Sequence, residues 1–368
     1  MNYDNLVTNK NYPLILNTTW FRLSLVKEIM NMKKTNVTLA ILVAAVMAGN
    51  SQTTVNSDIV GYQTISVPVG LSTAGFPLVN SDVLKVAATT LAGNALGLAS
   101  QSNVGALLTS TEPYYVEVYS GALKGDRFDV DVAATVAAAN GSVVLDSASV
   151  NNTLLFSAVG ANLNGATVAL RKHITIEQVQ GMASAALVGN NSASLADQIQ
   201  LYDNATAGYA AYFLRADGIT WRKVGTTTVA NKTPIPSGTG VFISKKTGAA
   251  TLTAVGNVRL NDFSVPYQVG LQLAAPGVPI DVTAASLGGS VANGWTGNNS
   301  ASLADQIQVY NPDTSGYDAY FLRADGTTWR KVGTTTTVTS AVATSAQAFF
   351  VSRKTADSSN ILVNPITN

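Results

Sequence analysis

The stretch Tyr212-Phe213-Leu214-Arg215-Ala216-Asp217-Gly218-Ile219-Thr220-Trp221-Arg222-Lys223 decides the fold class. Two short runs of strand-forming residues flank Asp217-Gly218. That dipeptide marks a two-residue hairpin loop, because a type I′ turn needs positive φ at both central positions. A turn centred there sets Leu214 opposite Trp221, Tyr212 opposite Lys223 and Ala216 opposite Ile219 on one mostly apolar side. Phe213 with Arg222, and Arg215 with Thr220, take the other side. A Leu–Trp cross-strand pair is the kind of contact that builds the core of a β module.

The hairpin occurs twice. Residues 191–228 and 299–336 match at an offset of 108 with 31 identities in 38 ungapped positions. Leu322 and Trp329 then flank a second turn at Asp325-Gly326. Farther on, Val241-Phe242-Ile243-Ser244-Lys245-Lys246-Thr247 aligns with Phe349-Phe350-Val351-Ser352-Arg353-Lys354-Thr355. Such self-similarity points to one local structure used twice. Upstream, Tyr114–Tyr119 resembles the strand of Tyr212, and Leu163–Lys172 resembles Ile235–Lys246, which suggests a divergent third copy.

Further strands are predicted at 59–67, 113–119, 166–171, 240–244, 251–259 and 348–352, with short helices at 82–91, 175–181 and 283–288. Loops are predicted at 90–104, 186–194 and 288–300. The expected fold is mainly β: tandem β-sandwich or barrel-like modules with a few short helices. The expected divisions are an N-terminal module at 49–173, a first repeat module at 174–257 and a second at 258–368.

Composition narrows the function. Of the 368 residues 12% are charged, against about 25% in ordinary domains. Thr, Ser, Asn, Gly and Ala take their place, a mix that favours strands and turns over free-standing helices. A net charge of +1 gives no field to recruit nucleic acid. With no Cys, disulfides, thiolate zinc sites and thiol catalysis are excluded. His173 stands alone, which argues against both a Ser-His-Asp triad and a multi-His metal site.

Lys33-Lys34 followed by an apolar run from Val37 to Ala48 reads as a secretory signal peptide at 30–48, with cleavage after Ala48. Residues 1–29 look like an over-extended start, with translation beginning at Met30 or Met32. The expected location is extracellular or cell-surface, with no membrane span in the mature form.

Asp58-Ile59-Val60-Gly61-Tyr62, the run Tyr114–Phe128 with its Ser120-Gly121 and Gly125-Asp126-Arg127-Phe128, the Trp-Arg-Lys-Val-Gly motif at 221 and 329, and Gly238–Ile243 stand together in this chain. In combination they resemble a family of uncharacterised secreted repeat proteins of Verrucomicrobia-type bacteria. The resemblance spans roughly 58–355 and implies no catalytic residue. Some relatives end in a sorting segment; here Asn360–Asn368 has neither a hydrophobic tail nor a basic end. Ala346-Gln347-Ala348 also stands where the first copy has Gly238-Thr239-Gly240.

Several residues invite chemistry. Asp197 and Asp305 occupy equivalent repeat positions and read as turn or cap residues, one per module. Glu117 with Asp126, Asp129 or Asp131 is the candidate acid–base pair of a glycosidase, although nothing in the sequence fixes that geometry. The same three aspartates, all oxygen ligands, are the candidate site for Ca²⁺, the one cofactor the sequence suggests. Asn311–Gly316 is a second polar turn of that kind, although its counterpart 203–208 lacks the matching acid. His173 reads as a surface or capping residue at a strand end. Tyr209, Tyr212, Trp221, Tyr317, Tyr320 and Trp329 are the candidate glycan-binding aromatics, set against a plain core role for the tryptophans. Arg222-Lys223, Lys245-Lys246, Arg330-Lys331 and Arg353-Lys354 read as pairs that guard strand edges. The expectation is a non-catalytic structural or cell-surface matrix protein whose partner is itself. A carbohydrate-binding or adhesive module is the alternative.

Overall fold

The computed structural model describes residues 59–149, 163–184, 187–203, 208–311, 314, 316–355, 358–362, 364 and 366. The segment 1–29, the leader 30–48, its cleavage site and interior residues of the polar turns at 203–208 and 311–316 lie outside them. The chain is mainly β, in several sheets, with two short α-helices among the described residues. No helix among them is long and apolar enough to cross a membrane.

In chain order, β1 (Val60–Val67) and β2 (Gly70–Ala74) come first. Then follow β3 (Asp82–Ala92), β4 (Ala95–Leu98), β5 (Tyr114–Val118), β6 (Arg127–Asp129), α1 (Val132–Ala138), β7 (Ser142–Val144) and β8 (Thr167–Lys172). Next are β9 (Ile174–Thr175), α2 (Ile176–Gly181), β10 (Gln198–Asp203), β11 (Gly208–Leu214), β12 (Trp221–Lys223), β13 (Pro234–Ile235), β14 (Val241–Lys245) and β15 (Ala250–Asn257). The last are β16 (Phe263–Tyr267), β17 (Gly270–Ala274), β18 (Gln306–Asn311), β19 (Gly316–Leu322), β20 (Trp329–Lys331), β21 (Phe349–Arg353) and β22 (Ser358–Leu362).

Two five-stranded sheets share one plan: β12-β11-β10-β14-β2 and β20-β19-β18-β21-β17. Each is accompanied by a two-stranded ribbon, β1 with β15 and β16 with β22. The first module is therefore discontinuous. Its core joins Ile65, Val67, Ala74 and Phe76 to Ile176, Ile199, Leu214, Trp221 and Ile243 from the other side of a long insertion. The expected boundary at 173/174 is corrected accordingly, because β1 and β2 pair with strands of the 174–257 region. Val69-Gly70-Leu71 is repeated as Val269-Gly270-Leu271 at an offset of 200. Against the 108 seen later, 92 extra residues lie between β2 and β10.

Strands β3 to β8 fill that insertion as one sheet, ordered β6-β5-β8-β3-β4-β7, around a core of its own. A bridge between Val130 and Leu145 brings its two edges together into a partly closed barrel. The order β6-β5-β8-β3 follows β11-β10-β14-β2 strand for strand. The strand of Tyr114 thus occupies the place of β10, not that of the Tyr212 strand it resembles.

The hairpin register holds in both copies, with Leu214 opposite Trp221 and Leu322 opposite Trp329. The turn differs from type I′. Gly218 has φ +73°, but Asp217 is not among the residues with positive φ. The Asp217 carboxylate instead accepts the N–H groups of Ile219 and Thr220, and Arg215 and Thr220 close the loop. Two-residue and four-residue loops share one centre, so the pairing is the same. Residues 82–91 form strand β3 rather than a helix: pairing with β8 and β4 overrides local propensity. The helix expected at 283–288 is a series of turns, α1 forms where the sequence predicts no helix, and the expected loop 90–104 contains β4. The 175–181 helix forms as α2, with a capping box from Thr175 and Gln178.

The two modules meet about a local twofold relation. Ala275 N–H donates to Gly238 O, and at the equivalent positions Gly75 N–H donates to Ala346 O, both at 2.8 Å. A Cβ on Gly240 would lie 2.3 Å from the Cβ of Ala348, and one on Gly75 would lie 2.8 Å from that of Ala275. Equivalent residues thus touch across the junction, and each contact has room for one methyl group. This accounts for the break in the Gly238-Thr239-Gly240 motif in the second copy.

Candidate functional site

The six aromatic residues singled out in the sequence do not form one platform. Trp221, Trp329 and Tyr212 lie in the module cores, and Tyr320 packs against the second core. The Trp221 indole N–H donates to Gln180 Oε1 at 2.6 Å, and that of Trp329 donates to Gly289 O at 2.8 Å. Only Tyr209 and Tyr317 are open to solvent, at 48% and 46% exposure.

Strand alternation explains the division. On β11, Tyr212 and Leu214 face the core, while Tyr209, Ala211 and Phe213 face outward. Tyr202 and Gln200 of β10 and Phe242 of β14 share the outward face. The same holds for Tyr317, Tyr310, Gln308 and Phe350 in the second module. At the junction these faces join into a strip of rings. Phe242 and Phe350 are 5.9 Å apart between centroids, with Tyr209 5.3 Å from Phe242 and Tyr317 5.7 Å from Phe350. Tyr202 packs edge-on to both Tyr209 and Phe350, and Tyr310 to Tyr317. Burial, then the neighbouring Tyr317 phenol, raises the pKa of Tyr209.

The charged candidates serve structure. Asp197 and Asp305, read as turn or cap residues, are fully buried. Asp197 accepts the N–H groups of Val188 and Lys246, each at 2.7 Å, and pairs with Lys245 Nζ at 2.6 Å. Asp305 accepts those of Thr296 and Lys354 and pairs with Arg353 Nε at 3.3 Å. Lys245 and Arg353 are thus core cations, so two of the four basic pairs do not guard edges as expected. Arg222-Lys223 and Arg330-Lys331 do lie on edge strands, β12 and β20.

Glu117 is also fully buried, between Arg259 (2.5 Å) and Arg171 (3.2 Å). Burial resists its charge, but the two guanidiniums outweigh that and hold its carboxyl below the usual range. A carboxylate fixed in its ionised form cannot serve as the proton donor of a glycosidase. Arg259 also donates to Gly277 O and Ser237 Oγ, so one side chain ties the barrel to both modules. Neither the spacing of Glu117 nor that of Arg259 in sequence announces this knot.

The three clustered aspartates take separate partners. Asp131 caps α1 through Ala134 N–H, Asp129 meets His173 Nε2 at 3.0 Å and Ser149 Oγ, and Asp126 contacts Ser264. Among the described residues no three carboxylate or imidazole groups converge as a metal cluster. His173 is buried rather than on the surface, 4.6 Å from the Tyr115 ring. Beside it lies a recess large enough for about one water, lined by Asn80, Tyr115 and Ser237 among others.

No family model, no curated protein and no solved structure matches this chain.

Proposed function

We propose that this chain is an exported, non-catalytic structural or cell-surface protein built of tandem β modules. The observation that carries the reading is the use of its deeply buried charges. Glu117, Asp197 and Asp305 each join strands or modules through a buried cation. Such ties favour one rigid arrangement of three β units over a mobile catalytic cleft. The leader-like segment and the resemblance to secreted repeat proteins support export. The low share of charged residues, 12%, favours self-association at the surface.

Sedimentation velocity of the mature chain over a range of concentrations, with and without calcium, tests the proposal. Concentration-dependent assemblies with a regular form in electron micrographs are expected. A monomer at every concentration overturns it.

A further inference from the structure

We propose that the aromatic strip at the module junction is a binding site for an uncharged polysaccharide. The inference does not depend on self-assembly. Burial is uneven at the junction: the outward faces of β10, β11 and β14 could have been closed by the second module, yet Tyr209 and Tyr317 keep nearly half their surface exposed. Their rings are held by neighbours rather than swinging free, since each stands edge-on to a phenylalanine at the base of the strip. A half-exposed aromatic ring with a polar tip suits the apolar face and hydroxyl rim of a pyranose.

The polar groups beside the rings fit the same ligand. Gln200 and Gln308 lie on the same faces, one residue row in from the tyrosines. Each donates one amide hydrogen to Gln198 or Gln306, at 3.1 Å and 2.9 Å. A carboxamide has a second donor and an acceptor that can meet sugar hydroxyls. The residue rows that hold Tyr209, Tyr202, Gln200 and Phe242, and their counterparts, contain no ionised side chain on this face. An anionic or cationic polymer would find no counter-charge there, whereas a neutral one leaves none unpaired. The twofold relation places two equivalent half-sites side by side. A polymer of repeating units can engage both, and the second contact is then intramolecular.

The test uses the mature chain in native gels cast with hydroxyethylcellulose, mixed-linkage β-glucan, galactomannan or soluble starch. Polygalacturonate and chondroitin sulfate serve as charged comparisons. At least one neutral polymer is expected to retard the protein. Tyr209→Ala with Tyr317→Ala should weaken that binding by at least about tenfold, with the thermal midpoint unchanged. Tyr62→Ala, at an exposed tyrosine outside the strip, should leave binding as it was. Should the double variant lose its fold, each single variant must still weaken binding. Migration unaffected by all four neutral polymers, retardation by charged polymers alone, or full binding by the tyrosine variants overturns the proposal.

Discussion

The two repeat modules share a sheet order and a hairpin register, yet they solve the same interior problem with different side chains. In the second module, Trp295 packs edge-on to Trp329 at 5.4 Å and lies under the Arg353 guanidinium at 4.6 Å. The equivalent of Trp295 in the first module is Leu187, the equivalent of Arg353 is Lys245, and helix α2 supplies Ile176 and Val179 to the core. A planar cation goes with a planar ring, and a flexible cation goes with an aliphatic neighbour. The aspartate that pairs with each is the constant part: Asp197 and Asp305 make the same two backbone hydrogen bonds at the same 2.7 Å. Constancy in the anion and variation in the cation show that the carboxylate's first task is to hold backbone.

Breaking that latch should have the largest effect. Asp197→Asn leaves the Lys245 ammonium buried with no other partner among the described residues, and should cost about 3–5 kcal/mol. Asp305→Asn should cost less, because Arg353 still donates to Gly294 O at 2.6 Å and stacks on Trp295. Urea midpoints of the two variants decide the matter, and the reverse ranking breaks the comparison.

The junction gives the next effect. Gly240→Ala should destabilise by about 1–3 kcal/mol through overpacking. Ala348→Gly should restore part of the loss by removing the methyl it strikes. The rescue stays incomplete, since the Ala274 carbonyl oxygen is also 2.9 Å from the added carbon. A double-mutant cycle by thermal unfolding measures the coupling, and simple additivity refutes the close contact.

The smallest effect lies at the two hairpin turns, where the modules should behave alike. The amide of Ile219 and the Thr220 groups hold the Asp217 carboxyl down at about 2, and the Thr328 groups with the Thr327 amide do the same for Asp325. A carboxyl whose pKa falls on folding contributes stability that is complete above its ordinary value of about 4. That contribution is lost as the pH falls from about 4 towards 2. Asp217→Asn and Asp325→Asn should therefore flatten the acid slope of stability to a similar, slight degree in titrations followed by circular dichroism. An effect confined to one turn separates the modules where the structure makes them equal.

Much of the repeat unit was legible because its signals are local. Register follows from a turn centre that two loop types share, so Leu214 stands opposite Trp221 whichever of the two forms. The apolar character of that pair already favoured a core role for the tryptophans. The insertion is hidden because the two copies align without gaps over 191–228 and 299–336, while Val69-Gly70-Leu71 lies at a different offset from the rest. The buried charges were hidden for another reason. Lys245 and Arg353 sit in patterns that also suit an exposed edge, and only the alternation of a strand with a buried carboxylate beside it turns them inward. Glu117 and Arg259 are 142 residues apart, and no pattern in one chain links residues so distant. The aromatic strip is half legible: Tyr209 and Tyr317 stand out as repeated aromatics, but nothing in the sequence places the phenylalanines beneath them or the glutamines beside them.

The barrel spliced into the first module also bears on the order in which the polypeptide acquires its shape. Strand β1 begins at Val60, and its partner at that point is Asn257. The first strand to emerge must wait for nearly two hundred residues before its ribbon can close. By then the barrel, whose strands are nearer neighbours along the chain, can already have condensed. Closing a long loop costs little more free energy than closing a short one, but pairings distant in sequence slow the search for the native state. A condensed barrel shortens the effective loop by holding residues 82 and 171 side by side in paired strands. The insertion thereby acts as a clamp formed early, and the second module, continuous in sequence, can follow without waiting for any segment made long before it.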